Sequence, residues 1–418
     1  MTIEVRPIQP DDELEPWLDA VSTGFLDRPD IPKLAEDVRT HWDFSRVWGA
    51  VEGGRVVGTT RTWATELTVP GCAQVKASAV SGVTVRAPHR RTGLLRRLLA
   101  AEHAAARERG ELVSLLYASE YPIYGRFGYG VACQQAVLVL DVASTAFAPG
   151  APSVEGSVDY VAIEESSVDL LRGVFDRWRK AQPGEIWRRP ITYLDDLGLA
   201  GSAWGPAWKG FLVVHRTPAG DVDGYARFGG PAKWEHRQPR STLTVNEVHG
   251  IDPDVRATLI RWLADVDLVS TVKIERSSAG DRLPWLLTNA RAAELEEAGD
   301  GLWVRLHDIP AALEARTYER SGSVVVEAIV RDETGGDAPA RRERVALDAT
   351  TDGARAVATD RAPDVTVDAA ALGAAYLGGT RLRHAVLAHG VDEHRPGALD
   401  ALDGLLATRD LPWCSTFF

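Results

Sequence analysis

The chain has 418 residues, 45% hydrophobic and 25% charged, the balance of an ordinary globular protein with room for roughly two to four domains. Its formal charge of −12 argues against general nucleic-acid binding and favours cationic small molecules near the surface. No apolar run is long enough to span a bilayer, and "MTIEVRPIQPDDELEPW" has no signal-peptide core. Three well-separated cysteines (Cys72, Cys133, Cys414) indicate neither a disulfide framework nor zinc, so a cytoplasmic protein is expected.

In chain order, "SRVWGAVEGGRVVGTTRTWATELTV" predicts a hairpin around a Gly-Gly turn, and "AQVKASAVSGVTV" a buried strand. A basic loop leads to the helix "GLLRRLLAAEHAAARERG". Its apolar stripe runs Leu94, Leu95, Leu98, Leu99, Ala105 and Ala106, and Gly110 ends it. The strand "ELVSLLYAS" completes a βαβ unit, so its flanking strands are expected to be parallel.

The same order returns further along. "FLVVHRTPAGDVDGYARF" predicts a hairpin, "STLTVNEVHGID" a strand, "DPDVRATLIRWLADVD" a helix capped by Asp252 ahead of Pro253, and "LVSTVKIER" a strand. This reads as an internal duplication in which "IDPDVRAT" has replaced the basic "RAPHRRTG". Beyond it, "GSVVVEAIVRD", "RRERVALDAT" and "PDVTVDAA" predict antiparallel strands interrupted by the polar "DETGGDAPA". Two apolar helices follow, "AAALGAAYLGG" and "GALDALDGLLATRD". Three domains are expected: 1–145, 146–300 and 301–418, the first two α/β and the last α+β.

"VTVRAPHRRTGLLRRLL" gathers Arg86, His89, Arg90, Arg91, Arg96 and Arg97 around Gly93 at a helix start. Unpaired N–H groups and a partial positive charge at such a terminus suit a pyrophosphate; a solvated basic face is the alternative. Arg90 and Gly93 fit the acetyl-CoA signature of the GNAT acetyltransferases, whereas Leu95 stands where a small residue is usual. "HRRTGLLRRLL" followed by "YASEYPIYGRFGYG" resembles the enhanced intracellular survival (Eis) family over the whole chain.

The resemblance implies tandem GNAT-like domains, the second degenerate, followed by a sterol-carrier-protein-like domain. It implies acetyl-CoA as co-substrate, no metal, and a homo-oligomer, a hexamer in the family. By the same resemblance Val83, Thr84 and Val85 meet the pantetheine arm, and the run Arg90, Arg91, Thr92, Gly93, Leu94, Leu95 and Arg96 wraps the pyrophosphate. Ser119 and Glu120 lie beside the cofactor, with Arg126 and the Val85 N–H as further positioning groups.

Acetyl transfer needs a base for the attacking amine and an acid for the departing thiolate. Tyr121, Tyr124 and Tyr129 follow a predicted strand, and the resemblance selects Tyr124 as acid and leaves Tyr129 structural. It also gives a role to the aromatic terminus "LPWCSTFF", whose Phe418 α-carboxylate becomes the general base, with Trp413, Phe417 and Phe418 expected to bury it and raise its pKa. A merely packed tail is the alternative. Asp27, Asp30 and Glu36, with Trp42, are candidates to line an amine pocket; the non-acidic Phe417 argues against a preference for polycations such as aminoglycosides. The acceptor is an amine, an aminoglycoside-like or polyamine-like compound or a lysine. Rival readings are an acyl-CoA or lipid-binding sensor without turnover and a protein lysine acetyltransferase. His384, His389 and His394 share no helix face, and Cys414 carries no mark of a nucleophile.

Overall fold

The computed structural model describes residues 2–200, 206–331 and 340–418; all but the last residue of the polar "DETGGDAPA" segment lies outside them. The chain opens with β1 (Ile3–Pro7), α1 (Pro10–Gly24) and α2 (Ile31–Arg39), then the hairpin β2 (Val47–Glu52) and β3 (Arg55–Thr68). Gly53 and Gly54 turn that hairpin at φ 55° and 80°, a turn that ordinary side chains resist. Next come β4 (Gln74–Val85), α3 (Leu94–Glu108), β5 (Val113–Tyr117), the short α4 (Tyr121–Tyr124) and β6 (Gly130–Val131). β4 and β5 are parallel, as the βαβ pattern requires. The buried side of α3 is Leu94, Leu98, Leu99, Glu102, His103 and Ala106, so two polar residues occupy a stripe expected to be apolar. Each has a partner: Ser78 Oγ donates to Glu102 Oε1 at 2.7 Å, and His103 Nε2 meets the Tyr129 hydroxyl at 2.8 Å.

The duplication is present. After β7 (Gln134–Asp141), β8 (Ser157–Val161), α5 (Glu165–Arg179) and α6 (Pro190–Asp196) come the hairpin β9 (Phe211–Arg216) and β10 (Val222–Gly229). A small ribbon follows, β11 (Trp234–Glu235) and β12 (Gln238–Pro239), then β13 (Ser241–Gly250), α7 (Pro253–Ala264), β14 (Val269–Ser278), β15 (Ala293–Asp300) and β16 (Leu302–Leu306). β13 and β14 are parallel across α7, repeating β4 and β5. Sheet membership crosses the boundaries drawn from the sequence. β7, before residue 145, lies between β15 and β14 in the second sheet, and β16, after residue 300, lies between β5 and β6 in the first. Each sheet has seven strands, and the two exchange a strand.

The last unit contains α8 (Ile309–Ala315), β17 (Gly322–Val330), β18 (Arg341–Thr350), β19 (Gly353–Ala358), β20 (Val365–Asp368), α9 (Ala369–Ala375), α10 (Leu382–His389), β21 (Val391–Glu393) and α11 (Ala398–Leu406). It differs from the expected all-antiparallel arrangement, because β17 pairs with β20 in parallel, and α10 adds a helix between the two anticipated. Its core is continuous with that of the first sheet: Val304, Leu372, Tyr376 and Leu405 belong to one buried cluster.

One contact places the site. β2 covers β3 only as far as Arg61, which leaves the second half of β3 with an open edge. Residues of the 184–187 segment fill it: the N–H of Gly184 donates to Thr68 (2.8 Å), that of Thr68 to Glu185 (2.9 Å) and that of Trp187 to Glu66 (3.0 Å). The second unit thereby delivers Glu185, Arg188 and Arg189 to the face of β3.

Candidate active site

The site begins as a fork. β4 and β5 pair only over Ala77–Ala79 with Val113–Leu115, although β4 runs on to Val85 and β5 to Tyr117. From Val80 onward the β5 side of β4 has no strand partner among the described residues. A bulge sharpens the divergence: between the pairs Thr59–Thr84 and Arg61–Ser81, β3 contributes one residue and β4 two, Gly82 and Val83. Gly82 takes φ 61°, and a Cβ there would meet the Trp17 ring at 3.1 Å, so both backbone and packing demand glycine. Val83 and Val85 stand half-buried at this opening. Thr84 is turned inward, its hydroxyl 2.7 Å from that of Thr59, so only its backbone is available to a ligand.

At the mouth, α3 starts on Gly93 at φ 83° with no side-chain cap, and a Cβ on Gly93 would meet nothing within 4 Å. Arg91 (φ 64°), Thr92 and Gly93 are exposed around it. The six basic residues divide. Arg86 pairs with Asp19 at 2.6 Å, His89 meets Glu52 at 3.0 Å, and Arg97 donates to the Ile3 carbonyl at 2.7 Å. Arg90, Arg91 and Arg96 are exposed and make no ion pair among the described residues. Leu94 is buried and Leu95 half-buried, so these two hold the helix rather than face a phosphate with their side chains. The duplicate shows the opposite design. At α7 the Asp252 carboxylate accepts from the N–H groups of Asp254 (2.9 Å) and Val255 (3.0 Å), filling the terminus with an internal anion. The first copy leaves its helix start without a side-chain cap; the second has filled its own.

Past β5, Ser119 and Glu120 are exposed and Glu120 occupies the position before α4. The three tyrosines have separate environments. Tyr121 is exposed, with its ring 5.0 Å edge-on from Trp303. Tyr129 is fully buried with its hydroxyl against His103. Tyr124 is buried beneath the fork with Val80, Val83 and Leu116, and burial plus the negative charge of Glu120 push its phenol up to about 12. Arg126 is exposed and turns back to the Pro122 carbonyl at 3.2 Å.

The C-terminal segment crosses all of this. Glu185, fully buried, accepts from the Ser415 N–H and hydroxyl and from the Thr416 hydroxyl, each at 2.7 Å. Arg188 completes the clamp by donating to Thr416 Oγ1 (2.7 Å) and Ser415 Oγ (3.2 Å), while its own charge is met by Glu247 and Asp196. From the other side the Tyr117 hydroxyl donates to the Thr416 carbonyl at 2.9 Å. So held, the Phe418 ring sits edge-on between Trp63 (5.1 Å) and Tyr117 (5.3 Å). Trp63 and Leu115 both pair with Ala79, so the terminal residue lies over the point where β4 and β5 part. The expected enclosure by Trp413 and Phe417 is not what forms. Trp413 packs against Trp178 and His249, and Phe417 is 55% exposed beneath the Arg276 guanidinium; Trp63 and Tyr117 take their place. Cys414 is buried near Glu185, and both facts push its thiol well up, against any thiolate chemistry.

On the acceptor side, Asp27 and Asp30 are used locally, accepting from the N–H groups of Arg28 and Lys33, and Glu36 is exposed. Trp42 does reach the site. Its ring lies 4.1 Å from the Arg61 guanidinium, and Trp63 receives Arg61 at 5.0 Å and Arg189 at 4.6 Å. A cavity of about 200 Å³ beside the tail is lined by Arg188, Asp195, Trp208, Glu275, Arg276 and Phe417, among others. Sequence reasoning missed Arg61, Trp63, Tyr117, Glu185 and Arg188. Alternation along "TTRTWAT" put Arg61 and Trp63 on one face of a strand, a readable signal; nothing local marked Glu185 or Arg188.

Comparison with known proteins agrees with this geometry. Residues 4–132 and 158–306 each match an acetyltransferase (GNAT) domain, and residues 309–415 match a sterol carrier protein domain. An uncharacterized N-acetyltransferase of Streptomyces griseus is 39% identical over 100% of both chains. The N-acetyltransferase Eis of Mycobacterium tuberculosis is 33% identical, over 88% of this chain and 87% of its own. The crystal structure of Eis1 from Mycobacterium abscessus superposes with a TM-score of 0.83 at 29% identity, covering 99% of this chain and 100% of that one.

Proposed function

The chain belongs to the Eis family of GNAT N-acetyltransferases, and from that premise we propose that it moves the acetyl group of acetyl-CoA directly onto an amine. Tyr124 serves as general acid and the Phe418 α-carboxylate as general base. The observation that carries this reading is the seat of Phe418 between Trp63 and Tyr117, over the fork of β4 and β5. In it, acetyl-CoA enters the fork. The open amides at the start of α3, with Arg90, Arg91, Thr92 and Arg96, take the pyrophosphate, and the β4 edge at Val83, Thr84 and Val85 runs beside the pantetheine. Ser119 and Glu120 flank the mouth.

The acceptor ammonium gives a proton to the terminal carboxylate, directly or through a water. Its nitrogen then attacks the thioester carbonyl, the C–N bond forms, the C–S bond breaks, and the surplus proton left on the new amide nitrogen passes through water to replace the one that Tyr124 gives up. The departing thiolate takes the proton of Tyr124, whose raised pKa keeps that proton in place at any physiological pH. An ordinary α-carboxylate titrates near pH 3.5, so its contribution is positional: the clamp on Ser415 and Thr416 holds it where the proton must leave.

Assembly as a hexamer and a cytoplasmic location belong to the same reading; no helix among the described residues is long and apolar enough to cross a membrane. CoA release across a panel of amines, including an aminoglycoside, a polyamine and a lysine peptide, tests it. The native chain is run beside one with a single Gly added after Phe418. Turnover by the native chain, lost by about a hundredfold or more in the extended one while acetyl-CoA still binds, is the expected result. Equal activity removes the carboxylate from the mechanism, and binding without any turnover favours a sensor.

A further inference from the structure

We propose that the amine acceptor carries an anionic group, a carboxylate, sulfonate or phosphate, held by the Arg61 guanidinium beside the indoles of Trp42 and Trp63. The proposal rests on the acetyl-transfer reading above and specifies its acceptor.

Arg61 projects from β3 opposite Ser81, the residue before the Gly82–Val83 bulge. It shares a strand face with Trp63, whose ring touches the terminal Phe418 at 5.1 Å. One indole therefore separates this guanidinium from the residue that bears the base. The fully buried arginines of the same region are neutralised, Arg188 and Arg227 by Glu247 and Asp196, Arg179 by Glu66 and Asp176, Arg46 by Glu111, whereas Arg189, on the same Trp63 ring as Arg61, makes no ion pair among the described residues. Arg61 makes no ion pair among the described residues, with the terminal carboxylate or any other. Its contacts are π faces, Trp42 at 4.1 Å and Trp63 at 5.0 Å. Burial and the like charge of Arg189 push its pKa down to about 9, so it stays cationic at neutral pH in surroundings that undercompensate it. Such a group gains more from an incoming anion than a solvated arginine would.

The acids nearby act elsewhere. Asp195 opposes the charge of Arg189, and burial with the charges of Arg189 and Arg61 pushes the His41 imidazole down, so it adds no cation of its own. With the terminal residue on one side of Trp63 and Arg61 on the other, the site offers a carboxylate and a cation, which matches a compound with an ammonium at one end and an anion at the other. The two indoles supply a flat apolar wall between those ends.

The test compares kcat/KM for L-phenylalanine, phenethylamine and spermidine by CoA release, and calorimetric binding of 3-phenylpropionate, which has no amine. It uses the wild type, Arg61→Leu and Arg61→Lys, with acetyl-CoA binding as the check that each variant is folded. The wild type is expected to favour phenylalanine over phenethylamine by about tenfold or more. Arg61→Leu should lose that preference and bind 3-phenylpropionate about tenfold more weakly, and Arg61→Lys should retain part of both. A wild type that prefers spermidine or phenethylamine, or a preference untouched by Arg61→Leu, overturns the proposal and leaves acetyl transfer standing. If no amine releases CoA, the transfer reading fails instead. The anion site is then judged by 3-phenylpropionate alone: binding lost in Arg61→Leu supports it, and binding absent or unchanged sinks it.

Discussion

The Glu185 carboxylate, fully buried in the second unit, accepts both the main-chain N–H and the hydroxyl of Ser415 at 2.7 Å, across 230 residues of sequence. This pair fastens the last residues of the chain to the first sheet. Geometry at Phe418 is inherited from it, because Thr416 shares the same carboxylate and Tyr117 grips the Thr416 carbonyl.

Glu185→Ala removes the acceptor of three tail donors and leaves Arg188 short of a neighbour. The cost is expected to be about 3 kcal/mol by urea unfolding. CoA release should fall at least tenfold even at temperatures where the variant is fully folded. A variant equally active but less stable would make the clamp purely structural.

Tyr117→Phe is milder. The ring against Phe418 is kept and only the hydroxyl's bonds to the Thr416 and Cys414 carbonyls are lost, worth about 1 kcal/mol. A several-fold drop in kcat with an unchanged KM for acetyl-CoA is expected from steady-state kinetics, since the tail shifts while the cofactor fork does not.

Tyr124→Phe should lower kcat by about a hundredfold with little change in acetyl-CoA binding. The pH dependence has a definite sign. The phenol is raised to about 12, so the acid remains protonated through the working range. Wild-type kcat, measured at saturating acceptor so that loss of the Arg61 charge is not read, should therefore show no descending limb below roughly pH 11. A fall in kcat between pH 8 and 10 at saturating acceptor, in a protein still folded, would count against Tyr124.

Arg90→Ala combined with Arg91→Ala should weaken acetyl-CoA about tenfold in calorimetry and flatten its salt dependence. Affinity for S-acetylpantetheine, which lacks the pyrophosphate, should be unaffected. Gly93→Val should also impair acetyl-CoA, because the residue's φ of 83° costs a β-branched side chain roughly 1–2 kcal/mol and distorts the start of α3. Equal losses with both ligands would place the loop's role in folding.

The sequence by itself determined what is local. The Gly53–Gly54 hairpin, the parallel βαβ units around α3 and α7, the duplication and the basic loop at Gly93 were legible because turn chemistry, hydrophobic period and helix capping act over a few residues. The loss of the basic loop from the second copy was legible too, and Asp252 caps the helix that stands there. Tertiary structure alone decided the exchange of β7 and β16 between sheets, since a strand's alternation specifies a buried face and not which sheet supplies it. It also decided what packs against the terminal residue. Trp413 turns to Trp178 and His249, Phe417 lies exposed under Arg276 with its ring 5.0 Å from Tyr117, and Trp63 and Tyr117, hundreds of residues earlier, close on the Phe418 ring. Glu185 and Arg61 owe their roles to what the fold sets beside them. One is surrounded by donors and the other left without an acceptor, and such pairings across distant segments leave no periodic trace in the chain.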